Sequence, residues 1–205
     1  MELNQKTLKK AYNYLSKDDC LRFLINRFSD EINISERYND NYALALAYLI
    51  IEQQISFKAA ITIKKRFSKR IINLSNNEIL KLKIDELQSI GISYRKAIYI
   101  QNVYLYFQNS NFNFKCASNK EIIDELVTIK GIGVWSAEMF LMFVLMKIDI
   151  FSQGDLALMN SLKINYKMDI NNKKEVESLI DLWSPYKTVA SLLLWKSIEE
   201  KYYYS

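Results

Sequence analysis

An all-α fold is what this sequence predicts. Three observations carry the expectation: backbone breakers are scarce, apolar residues recur at helical spacing, and helix-capping signals are spread along the chain. The 205 residues include four glycines (Gly91, Gly131, Gly133, Gly154) and one proline, Pro185. Average usage would supply about 14 and about 10. That scarcity disfavours a turn-rich β-sandwich, a glycine-built phosphate-loop fold and a disordered tail. With 50% of its residues hydrophobic, the chain can build a core in one domain or two small lobes.

Each element follows from local pattern. Residues 1–40 mix polar and aromatic positions and hold at least one helix, Lys17 to Phe28, with Leu21, Leu24, Ile25 and Phe28 on one face. Tyr42 to Ile51 is apolar all round, the pattern of a buried central helix. Glu52-Gln53-Gln54-Ile55-Ser56 interrupts it, and Phe57 to Arg70 resumes as a basic amphipathic helix. Ser75-Asn-Asn-Glu78 reads as a capping box. Glu86 to Ile90 makes a short helix ending at Gly91, where glycine can turn left-handed without steric penalty. Tyr94 to Phe107 has helical spacing. A second capping box, Ser118-Asn-Lys-Glu121, opens a helix with Ile122, Ile123, Leu126 and Val127 on one side. After Ile129-Lys-Gly-Ile-Gly133 the chain is helical again from Val134 to Met146. A helix starts at Leu156, behind Gly154-Asp155. Two more follow a polar loop, Glu175 to Trp183 and Tyr186 to Tyr202. The expectation is roughly ten short helices joined by tight turns.

Histidine is absent. This removes Ser-His and Cys-His nucleophile pairs, histidine-ligated zinc and histidine general bases together. Cys20 and Cys116 alone cannot form a four-cysteine iron–sulfur cluster or a disulfide framework, and they fit a reducing intracellular compartment. The 28 Lys and Arg against 23 Asp and Glu give a net charge of +5, which permits a nucleic-acid partner without requiring one. No signal-peptide pattern opens the chain. The longest apolar runs, Tyr42 to Ile51 and Met139 to Met146, are too short for a bilayer. No membrane partner is expected. The expected location is cytoplasmic and nucleoid-associated, or nuclear in a eukaryote.

The helix–Ile129-Lys-Gly-Ile-Gly133–helix element carries the most chemistry. Two glycines one residue apart allow a sharp reversal and leave backbone N–H groups uncovered at the N-terminus of the second helix. There the helix dipole favours a phosphate. An ordinary αα-hairpin would also use glycine for its positive φ. The capped first helix and the scarcity of glycine elsewhere favour the phosphate reading.

Leu126-Val-Thr-Ile-Lys-Gly-Ile-Gly-Val-Trp-Ser-Ala-Glu-Met-Phe140 resembles the signature hairpin of the helix–hairpin–helix DNA glycosylase superfamily. Within it, the chain is most similar to the 3-methyladenine (alkyl-base) DNA glycosylases. Three other blocks match that family's pattern: Glu52-Gln-Gln-Ile-Ser-Phe-Lys-Ala-Ala60, Gly91-Ile-Ser-Tyr-Arg-Lys-Ala97, and Trp183-Ser-Pro-Tyr-Lys187 running on to Trp195. Together the blocks cover roughly residues 42–200 in the family's order.

The resemblance implies an all-α, two-lobed helix–hairpin–helix glycosylase fold. A central lobe, residues 41–154, would contain the hairpin; a second would combine 1–40 with 155–205, with the base pocket in the cleft between them. The family's catalytic aspartate falls on Asp155, 22 residues after Gly133. Aspartate at a helix mouth is also an ordinary N-cap, and both roles can hold together. Trp135 and Trp195 match base-pocket positions, where tryptophan faces attract a cationic base; core packing is the competing role, evenly weighted for Trp195. Lyase-type members carry a lysine where this chain has Trp135, so hydrolysis without strand cleavage is implied.

DNA contacts are implied for Gln53, Gln54, Ile55 and Ser56, with Gln54 or Ile55 as the wedge that fills the gap left by the flipped base. Gly91 and Ser93 would approach the opposite strand. The hairpin amides at Gly131 and Gly133, with Ser136, Lys58, Lys96 and Lys187, are candidate phosphate contacts, although Lys96 and Lys187 could equally be solvated surface charges. The main-chain carbonyls of Val127, Ile129 and Ile132 can hold a structural sodium or potassium ion; no cofactor is required and no iron–sulfur cluster is expected. The chain departs from the family at Lys130, where proline is usual, at Met159 and Asn160, where basic residues are common, and at Met139, which is aromatic in some base pockets.

The implied activity is hydrolysis of the N-glycosidic bond of alkylated purines, of the 3-methyladenine and 7-methylguanine type, in damaged double-stranded DNA. A monomer would do this, leaving an abasic site for base excision repair. Two rivals stay open: the same fold acting on deaminated or oxidised bases, and a non-catalytic hairpin module that only binds DNA.

Overall fold

The computed structural model describes residues 2–34 and 38–204. Among them every extended regular element is an α-helix, and the one β feature is an isolated antiparallel bridge between Glu2 and Lys147. None of these helices is long and apolar enough to cross a membrane. The helices pack as two compact units, Met1–Tyr38 with Leu141–Ser205, and Asn39–Phe140. Residues 141–154, assigned from sequence to the central lobe, therefore pack with the chain termini. Backbone bonds explain the assignment. Leu3 N–H donates to the Met146 carbonyl (2.7 Å), Thr188 N–H donates to the Ile148 carbonyl (3.0 Å), and Ile150 N–H donates to Thr188 Oγ1 (3.1 Å).

The terminal unit holds α1 (Gln5–Leu15), α2 (Asp19–Phe28), α10 (Leu156–Asn165), α11 (Lys173–Asp181) and α12 (Lys187–Glu199). Helix α1 has no counterpart in the sequence expectation. Its signal is the reciprocal cap between Asn4 and Thr7, in which each residue's side chain accepts the other's backbone N–H. Helix α12 runs through the core, with Val189, Ala190, Leu193 and Leu194 buried. Two polar knots stitch this unit. Asp18, the N-cap of α2, accepts from Leu21 N–H (2.9 Å), from the Tyr166 hydroxyl (3.0 Å to each oxygen) and from Trp183 Nε1–H (3.2 Å). Buried Asn165 donates to Ser161 and Ser197 and accepts the Tyr204 N–H, so the polar atoms between α10 and α12 are paired.

The central unit holds α3 (Tyr42–Glu52), α4 (Phe57–Ile71), α5 (Asn76–Leu80), α6 (Ile84–Ser89), α7 (Tyr94–Asn109), α8 (Asn119–Leu126) and the start of α9 (Val134–Phe143). Helix α3 is buried on nearly every side and packs against α4 and α7, as its all-round apolar sequence demands. Tyr42, Phe107, Phe114 and Phe140 form an aromatic cluster at its start. Both expected capping boxes close, at Ser75 with Glu78 and at Ser118 with Glu121.

The helices differ from expectation mainly at their ends. Helix α9 stops at Phe143 because Met146 turns left-handed (φ +52°) and Lys147 N–H reaches back to the Leu141 carbonyl. Helix α12 stops at Glu199. There Lys201 takes φ +51°, Lys201 N–H bonds the Ile198 carbonyl and Tyr202 N–H bonds Ser197, a Schellman closure. Helices α6 and α11 each begin two residues earlier than expected, at Ile84 and Lys173.

Replacing Asp18 with alanine removes a cap and strands the Tyr166 and Trp183 donors. The variant is expected to lose about 2–4 kcal/mol, measured by urea unfolding. Burial pushes the Cys20 thiol up to about 12, while Cys116 is exposed. A thiol reagent at pH 8 should therefore modify Cys116 in the folded protein and reach Cys20 only on unfolding.

Candidate functional site

The hairpin is built by unlike glycines. Gly131 sits at φ +110°, and a Cβ there would lie 2.2 Å from Tyr99 Cγ, so both conformation and space demand glycine. Gly133 has nothing within 4 Å of where its Cβ would be. It leaves an open surface beside the first turn of α9, where N–H groups point along the helix axis. Buried Ile129 and Ile132 anchor the turn from below, joined by an Ile132 N–H bond to the Ile129 carbonyl (2.9 Å). The Val127 and Ile132 carbonyls accept no hydrogen bond among the described residues, and Ile129 keeps a second lone pair. That donor set fits a monovalent cation.

The Gln53–Ser56 turn is locked to this hairpin. Gln53 Nε2 donates to the Gly131 carbonyl and to Ser136 Oγ, both at 3.2 Å. Two of the side chains expected at DNA therefore have internal partners. Gln53 is an internal tie, and the Ser136 hydroxyl is buried inside the hairpin (2% exposed), because pairing these polar atoms with each other offsets their removal from water. Lys96 also has internal partners. Its Nζ donates to the carbonyls of Ile51 (2.9 Å) and Gln53 (2.5 Å), and partial burial lowers its pKa. The side chain is turned inward, onto the C-terminal end of α3.

Gln54 is exposed, and its backbone is left-handed at φ +55°, a conformation that costs about 1–2 kcal/mol in a residue with a Cβ. Ile55 beside it is half-buried, and Ser56 caps α4 by accepting the Ala59 N–H. Gly91, at φ +101°, and Ser93, which caps α7, belong to the second expected DNA-facing turn. The two turns line one cavity of about 230 Å³, with Gln54, Ile55, Gly91, Ser93 and Lys96 among its walls. A residue not singled out from sequence also lies here. The Arg66 guanidinium is 3.7 Å from where a Gly91 Cβ would be. Like Lys58, Arg66 is exposed and has no ion pair among the described residues. The signal for it is the basic face of α4, on which Arg66 follows Lys58 by two helical turns.

In the terminal unit, Asp155 is half-buried at the N-cap of α10. Its Oδ1 accepts the Leu158 N–H (2.9 Å) and the indole Nε1–H of Trp195 (3.0 Å). Trp195 in turn stacks on Phe143, with ring centroids 5.8 Å apart. Asp155 is thus a cap whose carboxylate is also aimed by a tryptophan. Trp195 packs against the unit's core and donates to the carboxylate. Trp135 is half-buried in the first turn of α9. Lys187 Nζ is paired with Asp181 (2.6 Å), and its backbone N–H donates to Asp149.

Comparison with known proteins decides the family. The HhH-GPD superfamily of base excision DNA repair proteins matches residues 47–185. The chain belongs to this superfamily. It is 29% identical over 201 residues to a DNA-3-methyladenine glycosylase of Saccharomyces cerevisiae, covering 77% of this chain and 67% of that protein. Among solved structures it is similar to a DNA-3-methyladenine glycosidase from Bacillus halodurans, with 30% identity, 93% and 90% of the two chains covered, and a TM-score of 0.73. It is also similar to a Schizosaccharomyces pombe 3-methyladenine DNA glycosylase in complex with abasic DNA, with 26% identity, coverage of 93% and 97%, and a TM-score of 0.78. In this HhH-GPD protein the matched span takes in the Gln53 turn, the Gly91 turn, the hairpin and Asp155.

The two hairpin glycines should respond differently to substitution. Gly131→Ala is expected to lose about 2–4 kcal/mol through positive φ and the clash with Tyr99. Gly133→Ala should stay within about 0.5 kcal/mol of wild type. Thermal and urea unfolding of the pair checks the contrast.

Proposed function

We propose that this protein is a monofunctional DNA glycosylase that hydrolyses the N-glycosidic bond of alkylated purines, 3-methyladenine and 7-methylguanine in type, in duplex DNA. The observation that carries the reading is the Asp155 carboxylate, held on Oδ1 by the Leu158 N–H and the Trp195 indole. The names of the relatives support the substrate class.

Breaking the glycosidic bond builds positive charge on the deoxyribose. A carboxylate fixed in advance stabilises that oxocarbenium-like state without reorganising. The same group can orient the attacking water and take its proton. An N-alkylated purine already carries positive charge and leaves without protonation, which suits a chain with no histidine to supply a proton. Each of the two tryptophans that the resemblance assigns to base binding, Trp135 in the central unit and Trp195 in the terminal unit, has an aromatic face that suits a cationic base. Trp135 stands where a lyase-type member has its Schiff-base lysine, so water adds to C1′ of the sugar, the base leaves and the strand stays intact. The protein acts as a monomer on damaged double-stranded DNA. Main-chain N–H groups beside Gly133 grip the phosphate backbone, and Lys58 and Arg66 add cations; the Val127, Ile129 and Ile132 carbonyls would hold a sodium or potassium ion, which would supply further positive charge there.

The test is base release from methylated duplex DNA by wild type, Asp155→Asn and Trp195→Phe. Asp155→Asn keeps a capping oxygen but loses the charge, and release should fall about 10²–10³-fold while binding to abasic duplex persists. Trp195→Phe keeps the ring against Phe143 but removes the donor to Asp155, and should slow release about tenfold. Borohydride should trap no covalent complex with DNA. Release of only uncharged bases would move the substrate to deaminated or oxidised lesions. Wild-type behaviour of Asp155→Asn in every assay would leave a DNA-binding module instead of an enzyme.

A further inference from the structure

Lys96 is a cation without a carboxylate partner among the described residues, and its ammonium group donates to main-chain oxygens. It leaves the first turn of α7 and reaches across to the end of α3, where its Nζ donates to the carbonyls of Ile51 and Gln53. Carbonyls at a helix C-terminus carry partial negative charge and lack intrahelical donors, so an ammonium group answers both needs. The second carbonyl matters more for function. The Gln53 oxygen belongs to the peptide plane that joins Gln53 to Gln54. Fixing that oxygen sets Gln53 ψ, at +129°, and Gln54 φ, at +55°. The Gln53 side chain is meanwhile held by Gly131 and Ser136, so the plane is restrained from both sides.

We propose that Lys96 is a positioning residue for Gln54: by clamping the Gln53–Gln54 peptide plane it holds Gln54 in its left-handed conformation and presents the side chain to the DNA base stack. The proposal rests on the reading of this chain as a DNA glycosylase, and it makes Gln54, rather than half-buried Ile55, the residue that enters the gap. A lysine serving as a phosphate contact would have to leave both carbonyls and strand them. In the clamp its charge stays inside the protein and adds nothing to the ionic grip on DNA.

The test uses duplex DNA containing an abasic site, with the fluorescent base 2-aminopurine opposite it, so that insertion is read without any base release. Lys96→Met keeps the aliphatic stem and removes the donors. Its insertion signal is expected to fall about tenfold, as in Gln54→Ala, and the double variant should be no worse than either single one. The dependence of binding on salt should keep the wild-type slope, whereas loss of a phosphate contact would make it shallower by about 0.9. Lys96→Arg should recover much of the signal. On methylated DNA, release from duplex should slow while release from single strands, which have no stack to enter, stays unchanged. If Lys96→Met does not fold, Lys96→Gln, whose uncharged side chain is one bond shorter and cannot span both carbonyls, takes its place. An unchanged insertion signal, additivity with Gln54→Ala, or a shallower salt slope would overturn the proposal. Wild-type protein that inserts into the abasic duplex but releases no alkylated base would overturn the substrate reading and leave the role of Lys96 standing. Wild-type protein that binds neither duplex would overturn both.

Discussion

Gln53 is the point on which the central unit's functional surface depends. Its carbonyl accepts from Lys96, and its side-chain amide donates to Gly131 and Ser136. Three segments far apart in the chain meet through that one residue: the exit from α3, the first turn of α7 and the hairpin that opens α9. None of them could be held by apolar packing alone, because each exposes backbone polar groups that must find partners when water is removed. A single amide and a single ammonium meet that demand, and they leave Gln54 and the N-terminal turn of α9 facing outward.

Asp155 solves a comparable problem in the terminal unit. A helix mouth needs an acceptor, and a reaction that develops positive charge needs a fixed anion. In the proposed mechanism one carboxylate serves both, because the N–H of Leu158 and the indole of Trp195 converge on the same oxygen. Trp195 is anchored in turn by Phe143 and the unit's core. The positioning of the carboxylate thus rests on apolar burial rather than on a loop.

Glycine scarcity has a different meaning at each address. Gly131 is required by the fold, since Tyr99 fills the space where a side chain would go. Gly133 is required by nothing inside the protein, and the open surface it leaves is consistent with close approach of a ligand backbone. Sequence motif alone treats the two as a pair. Only the surroundings separate a glycine that shapes the turn from one that clears a path to it.

What the sequence determined by itself is every described helix except α1, the capping boxes at Ser75 and Ser118, and the family. These signals are local: the capping boxes at Ser75 and Ser118 span three residues, and the apolar periodicity of α3 or α4 spans a few turns. The hairpin was legible for the same reason, and Asp155 was singled out by its place 22 residues after Gly133 in the family's pattern. The tertiary structure alone decided the partners. Lys96 meets Gln53 from 43 residues away, Gln53 meets Gly131 and Ser136 from 78 and 83, and Trp195 meets Asp155 from 40. Lysine, glutamine and serine read as surface residues in any local window, because their chemistry is satisfied equally well by water. They turn inward here because the folded chain brings each one a buried partner, and an unpaired polar group in that place would cost more than the pairing does.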